Sequence, residues 1–295
     1  MNNIETAFSG ERATSGINAA FPDGKAISGI DATFSDKKTI DKVYAAFSNK
    51  KALITYLMAG DPDLEFTRDH ILALERGGAD IIELGIPFSD PIAEGETIQA
   101  ANLRAIASNT NVNGVFALIS SLKGELNAAL MIMTYVNLLF SYGYEAFFAK
   151  CSECGVSGVI LPDLPFEERF EVLDYSNKYD VILISMVAPT SGKRIEKIVK
   201  DAKGFIYLVS SMGVTGTRNV LADQQSMISE IKRYTETPVA VGFGIQNTEQ
   251  AAEICKDADG VIIGSAIVNI IAKYGAYAGP ELEAYARQIK RAINV

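Results

Sequence analysis

The chain has 295 residues, 48% of them hydrophobic, and a formal net charge of −9 at pH 7. This length holds one large α/β domain or two small ones, and the acidic balance argues against nucleic acid or anionic membrane as general partners. No apolar run reaches the roughly 18–20 residues of a membrane span, and no basic segment followed by an apolar core opens the chain, so a cytoplasmic location is expected. Three cysteines and one histidine, His70, cannot build a Cys/His zinc site of ordinary spacing, and the place of His70 on a predicted helix argues against a histidine-based triad. Cys151 and Cys154 form a CxxC inside a predicted helix, Tyr144–Cys154, and are read as structural; no metal site is expected.

The first 42 residues differ from the rest. Ile4-Glu-Thr-Ala-Phe-Ser, Ile17-Asn-Ala-Ala-Phe-Pro, Ile30-Asp-Ala-Thr-Phe-Ser and Val43-Tyr-Ala-Ala-Phe-Ser are versions of one unit, with phenylalanines at 8, 21, 34 and 47. Thirteen residues advance a helix by about 220°, so these phenylalanines would not share one face. The reading is a tandem duplication of a short helical segment, with residues 1–42 a loosely ordered extension and residues 43–295 the catalytic domain. A docking arm with regular apolar anchors is the alternative.

From Ala52 the pattern becomes regular. Apolar runs predict strands at 53–58, 80–85, 129–135, 158–161, 181–187, 205–209, 239–242 and 260–263. Amphipathic stretches between them, such as 64–76, 167–179, 194–202 and 248–256, predict helices. Eight near-continuous apolar strands alternating with helices over about 240 residues point to a (β/α)8 TIM barrel. A doubly wound open sheet ranks second, because no glycine-rich dinucleotide fingerprint follows the first strand.

In a barrel the chemistry gathers at the C-terminal ends of the strands. Glu83 interrupts the apolar run Ile81–Gly85, and a carboxylate there is costly unless paired, protonated or used. Glu94 follows eleven residues later in a Gly/Pro-bounded loop, so two acids can converge on one pocket. Other strand ends bring Tyr135-Val-Asn137, Pro162-Asp163, Tyr207 with Gly213-Val-Thr-Gly216, Gly242-Phe-Gly244 and Gly264-Ser265-Ala266. The last three glycine groups suit a phosphate cradle, since glycine admits close backbone approach and a helix beginning at Ser265 offers N–H donors. Tight turns needing glycine are the plainer explanation of the same residues. Tyr56 and Phe243 are placed to line a pocket for a flat apolar ring.

These residues fall into segments that resemble the tryptophan synthase α subunit: Leu57–Pro62, Glu83–Pro91, Thr97–Arg104, Met133–Asn137, Gly213–Gly216, Gly242–Ile245 and Gly264–Ile267, in that family's order. The resemblance implies retro-aldol cleavage of indole-3-glycerol phosphate to indole and glyceraldehyde 3-phosphate, with no cofactor in this chain. It implies a partner β subunit carrying pyridoxal phosphate, in an α2β2 heterotetramer. Glu83 would be the general acid, Glu94 would meet the indole N–H, and Tyr207 would lie near the reacting carbons. Gly216, Gly244, Gly264 and Ser265 would cradle phosphate, while Tyr56, Phe243, Ile262 and Thr215 would line the indole pocket. The chain departs from the family at Ala93-Glu-Gly-Glu96, where Ala-Asp-Gly-Pro is usual, and in its repeated extension. The first departure motivates one alternative, a weakly catalytic subunit that mainly activates a β subunit; a stand-alone lyase that releases indole is a further alternative.

Overall fold

The structure, a computed structural model, describes residues 37–209, 217–242, 244, 245 and 247–294. Nine strands occur among them: β1 Ala52–Met58, β2 Ile81–Gly85, β3 Ala129–Met133, β4 Gly158–Ile160, β5 Ile182–Leu183, β6 Ser185–Val187, β7 Ile206–Val209, β8 Val239–Gly242 and β9 Gly260–Ile263. Twelve α-helices accompany them. α1 Lys37–Ala46 precedes the first strand, and α2 Leu64–Arg76 follows it; α3 Glu96–Ala107 and α4 Val112–Ser121 follow β2. Then come α5 Val136–Tyr142, α6 Tyr144–Cys154, α7 Phe170–Lys178, α8 Ile195–Val199, α9 Thr217–Ile231, α10 Thr248–Ile254, α11 Ser265–Tyr274 and α12 Gly279–Ala292.

All pairings are parallel, in the order β5-β4-β3-β2-β1-β9-β8-β7-β6. The two ends of that order are joined through the single residue Ile184. β5 pairs with β4 and β6 pairs with β7, so the two pieces share one barrel position. The molecule is therefore a (β/α)8 barrel, and the open-sheet alternative falls away. The predicted fifth strand, 181–187, is broken because it exchanges neighbours: Ile184 N–H still bonds to Val159, whereas Ser185 is in register with Ile206. Most other expected boundaries move by one or two residues; β3 ends at Met133, and Tyr135 already caps α5.

Two apolar layers follow from the period-two alternation of strand side chains. Outward residues such as Leu53, Leu57, Ile82 and Leu84 pack under the helices. Inward residues such as Ile54, Ile81, Met131, Phe205 and Ile262 fill the barrel. A third small cluster, with Tyr56, Met58, Ala101, Ala105 and Val268, covers the C-terminal end beneath α3 and α11.

The fourth copy of the N-terminal unit is part of the barrel core. Val43 and Ala46 of α1 are buried, with Ile40 and Phe47 packed against the same inner cluster. The Phe47 ring lies 5.7 Å from that of Phe205, and a side chain at Gly260 would meet Phe47 at 3.2 Å. α1 thus closes the N-terminal end of the barrel, and it runs across the boundary expected between residues 42 and 43. The first three copies lie outside the described residues. Cys151 and Cys154 are buried on α6, where Cys154 shares a 3.0 Å contact with the Ser120 hydroxyl. Burial pushes both thiols up, away from reactive thiolate.

Phe205 is fully buried at the centre of this closure. Phe205→Ala is expected to destabilise the fold by about 3–5 kcal/mol, the usual range for emptying a buried phenylalanine site. Urea denaturation of the two chains checks it.

Candidate active site

Glu83 occupies the middle of β2, in register with Tyr56 of β1 and Met131 of β3. Met131 belongs to the inner cluster, so the carboxyl points into the barrel. It is 0% exposed, and neither oxygen has a hydrogen-bond partner among the described residues. Desolvation alone pushes its pKa up to about 8, which keeps the acid protonated at neutral pH.

Above it lies a cavity of about 370 Å3 at the C-terminal ends of the strands. Tyr56, Glu94, Tyr207, Gly244, Ile262, Gly264 and Ser265 all line it. Seven residues singled out in the sequence therefore share one hollow. Glu83 lies among the same side chains rather than on the cavity wall: Tyr56 and Tyr207 both feel its charge. Thr215, Gly216 and Phe243 lie outside the described residues.

The glycines at the strand ends make room for the two phenols. A side chain at Gly85 would strike the Tyr56 hydroxyl at 2.4 Å, and one at Gly242 would strike the Tyr207 ring at 2.7 Å. Both phenols are buried, and both are held well above their ordinary pKa, chiefly by desolvation. Gly244 has φ +78°, a left-handed conformation that only glycine adopts without strain. Gly264 precedes α11, whose first turn has no side-chain cap, and both Gly264 and Ser265 line the hollow.

Glu94 sits in the loop between β2 and α3. Burial raises its pKa to about 7, against the opposing effect of hydrogen bonds from Asn102 and Tyr135. The Asn102 amide donates to Glu94 Oε2 at 2.7 Å. Ala93 N–H donates to the Tyr135 hydroxyl at 3.3 Å, and the Tyr135 ring stacks on Phe88 at 5.1 Å. Glu96 begins α3, where a negative charge is favourable to the helix dipole. The replacement of the usual proline there leaves a formed helix start with Gly95 as its N-cap.

The sequence places Tyr135 at a strand end, and Ile98, Asn102 and Met133 within family-like segments, without marking a role for any of them, and it does not single out Asn269. Asn102 had a signal: a polar residue beside Ala101 on the buried face of a helix needs a partner. Asp163, also placed at a strand end, instead caps α5: both of its oxygens accept from Val136 N–H at 3.1 Å. Among the described residues no group of three or more His, Cys, Asp or Glu could hold a metal ion, and no helix is long and apolar enough to cross a membrane.

A family model described as tryptophan synthase alpha chain matches residues 44–294. The chain belongs to that family. The tryptophan synthase alpha chain of Lacticaseibacillus casei is 48% identical over 242 residues, 82% of this chain and 91% of that protein. That of Lactiplantibacillus plantarum is 42% identical over 245 residues, 82% of this chain and 92% of its own length. Among solved structures, the alpha subunit of Legionella pneumophila superposes with a TM-score of 0.78 at 36% identity, covering 87% of this chain and 97% of that one. A chain of the Mycobacterium tuberculosis tryptophan synthase does so at 0.77 and 32%, covering 87% and 96%. The match begins one residue after Val43, so the first three repeat units precede the stretch that this alpha chain shares with its family.

The desolvated acid carries a stability signature. A carboxyl with an ordinary pKa of 4.5 unfolded and about 8 folded makes the folded state bind more protons between those values. Stability is therefore full below about pH 4.5 with respect to this group and is lost as pH rises through 8. Glu83→Gln is expected to melt above the parent chain at pH 8, with the gap closing toward pH 5. Thermal melts of both chains across that range test this.

Proposed function

We propose that the chain is the indole-3-glycerol-phosphate lyase subunit of tryptophan synthase, and that residues 43–295 carry the reaction. The observation that bears most weight is the pair of acids in one site: Glu83, kept protonated by an apolar surrounding, and Glu94, on the cavity wall with a lower pKa. Two carboxyls pushed apart in pKa suit separate acid and base roles at one pH.

Glu83 protonates C3 of the indole ring, leaving a cationic C2=N1–H unit that the Glu94 carboxylate stabilises at N1–H. The Glu83 carboxylate then accepts the proton of the hydroxyl on the glycerol carbon bonded to C3. That carbon becomes the aldehyde carbon as its bond to C3 breaks, and the bonding electrons restore the aromatic ring. The products are indole and glyceraldehyde 3-phosphate, and Glu83 ends as it began. Every step is a proton transfer or a carbon–carbon cleavage, so the chemistry calls for no cofactor in this chain. By the family resemblance Phe243 and Thr215 are assigned to the ring and Gly216 to the phosphate. Tyr207 flanks the reacting carbons, Tyr56 and Ile262 enclose the ring, and Gly244, Gly264 and Ser265 receive the phosphate. The uncapped first turn of α11 and the positive φ of Gly244 support the last assignment.

The working assembly is with a tryptophan synthase β subunit, which supplies pyridoxal phosphate for its own reaction, in the cytoplasm. Ile92 in the β2–α3 loop, Leu103 on α3 and Phe140 on α5 are 68–83% exposed, unusually so for large apolar groups, and these elements follow C-terminal strand ends. The placement of Glu94 on the cavity wall favours an active lyase over a subunit that only activates its partner.

Indole release by the purified chain, with and without a β subunit, tests the proposal. Turnover that Glu83→Gln lowers by at least about a thousandfold is expected, as for loss of a general acid with further duty as base. Substantial turnover in that variant would sink the assignment. The activity of the parent chain should rise with pH as Glu94 ionises near 7 and fall as Glu83 ionises near 8. A kcat/KM profile flat from pH 6 to 9 would contradict both roles.

A further inference from the structure

Asn102 is 2% exposed on the inner face of α3 and is absent from the cavity wall, yet its side chain serves the β2–α3 loop. Its Oδ1 accepts Phe88 N–H at 2.9 Å. Its Nδ2 donates to Glu94 Oε2 at 2.7 Å and to the Ile98 carbonyl at 3.2 Å. A single amide therefore holds the loop at its first residues and at its acid.

This bonding fixes which way the amide points. A backbone N–H can only donate, so the amide oxygen must face Phe88, and the NH2 group must face Glu94. A donor of this kind stabilises a carboxylate more strongly than a protonated acid. The amide cannot turn over to present its oxygen to a protonated Glu94 without abandoning Phe88. α3 is itself anchored: Arg104 grips the buried Asp61 with two bonds of 2.7 Å, and the Ser108 hydroxyl donates to the Gly60 carbonyl at 3.0 Å. The platform behind Asn102 is thus tied to the loop after β1.

We infer that Asn102 is a positioning residue of the lyase site, which fastens Glu94 to α3 in its ionised form and couples the placement of the β2–α3 loop to that charge. The inference rests on the lyase reading. It also accounts for how an acid one methylene longer than the family's usual aspartate is held at the wall of the cavity. The ionisable groups near Glu94 are Tyr56 on β1, Tyr135 after β3, Tyr207 on β7 and Glu96 at the start of α3 on the same cavity wall, with Glu83 on β2 behind the phenols. The phenols are raised by burial and stay neutral across the range in question; of the two carboxyls, the limb that rises with pH belongs to the one that must ionise, Glu94, and the falling limb to the one that must keep its proton, Glu83.

The test is a carbon-13 NMR titration of the full chain labelled at glutamate carboxyls, comparing the parent with Asn102→Ala, alongside kcat/KM profiles for indole release. Loss of the donor is expected to raise the Glu94 midpoint by about one unit, with Glu83 still titrating near 8. The acidic limb of kcat/KM should move up with it, so that activity falls more at pH 6.5 than at pH 7.5. Asn102→Ser, which keeps a polar group at the buried site but cannot reach Glu94, should behave alike and covers the case in which the alanine variant does not fold. A Glu94 midpoint unchanged in a folded variant, or a loss of activity equal at every pH, would overturn the inference. The titration needs no turnover: a parent chain that releases no indole would sink the lyase reading and leave Asn102 to be judged on the Glu94 midpoint.

Discussion

One desolvated carboxyl governs how this barrel can work. Glu83 stands in a strand whose neighbours on either side are apolar and fully buried, and nothing among the described residues pairs with it. Full burial leaves the carboxyl desolvated, so the acid keeps its proton to about pH 8. The rest of the site is arranged around that fact. Tyr56 and Tyr207 keep the surroundings bulky and weakly polar, strand-end glycines leave them space, and α3 and α11 cover the end of the barrel. The stability given up at neutral pH by burying an acid is a cost that a purely structural residue would not require.

The two acids differ because their supports differ. Glu83 is held by a strand paired on both edges and has no freedom to relax toward solvent. Glu94 is held by a loop, and what keeps it in place is the hydrogen bond from Asn102, with Tyr135 bound to the adjoining Ala93 N–H. The Asn102 bond favours its ionised form, whereas nothing among the described residues favours that form of Glu83. The same local chemistry thus separates the two pKa values and orients the two groups.

Much of the fold was legible because parallel strands covered on both faces read as continuous apolar runs, and the helices between them keep a helical period. Position five was not legible as two pieces, since an exchange of neighbours at Ile184 leaves no mark on the run Val181–Val187. Of the site, Glu83 stood out as a charge in an apolar strand, and the glycine loops stood out by composition. Glu94 alone would have passed for a solvated loop residue. Asp163 looked like a site residue by position and proves to cap α5, a local hydrogen bond that spacing cannot reveal. Asn102 and Tyr135 were missed because their roles depend on contacts with residues eight and 41 positions away, Glu94 in both cases. The role of the fourth repeat unit was likewise hidden: its Val43, Ala46 and Phe47 close the barrel, which four similar units cannot indicate.

The central claim is that apolar burial keeps Glu83 protonated at neutral pH. A carbon-13 NMR titration of the carboxyl signal that Glu83→Gln removes tests it most directly. The account predicts a midpoint near 8. A midpoint at the ordinary carboxylate value near 4.5 would mean that water or an unrecognised partner reaches the acid, and the general-acid role would fail.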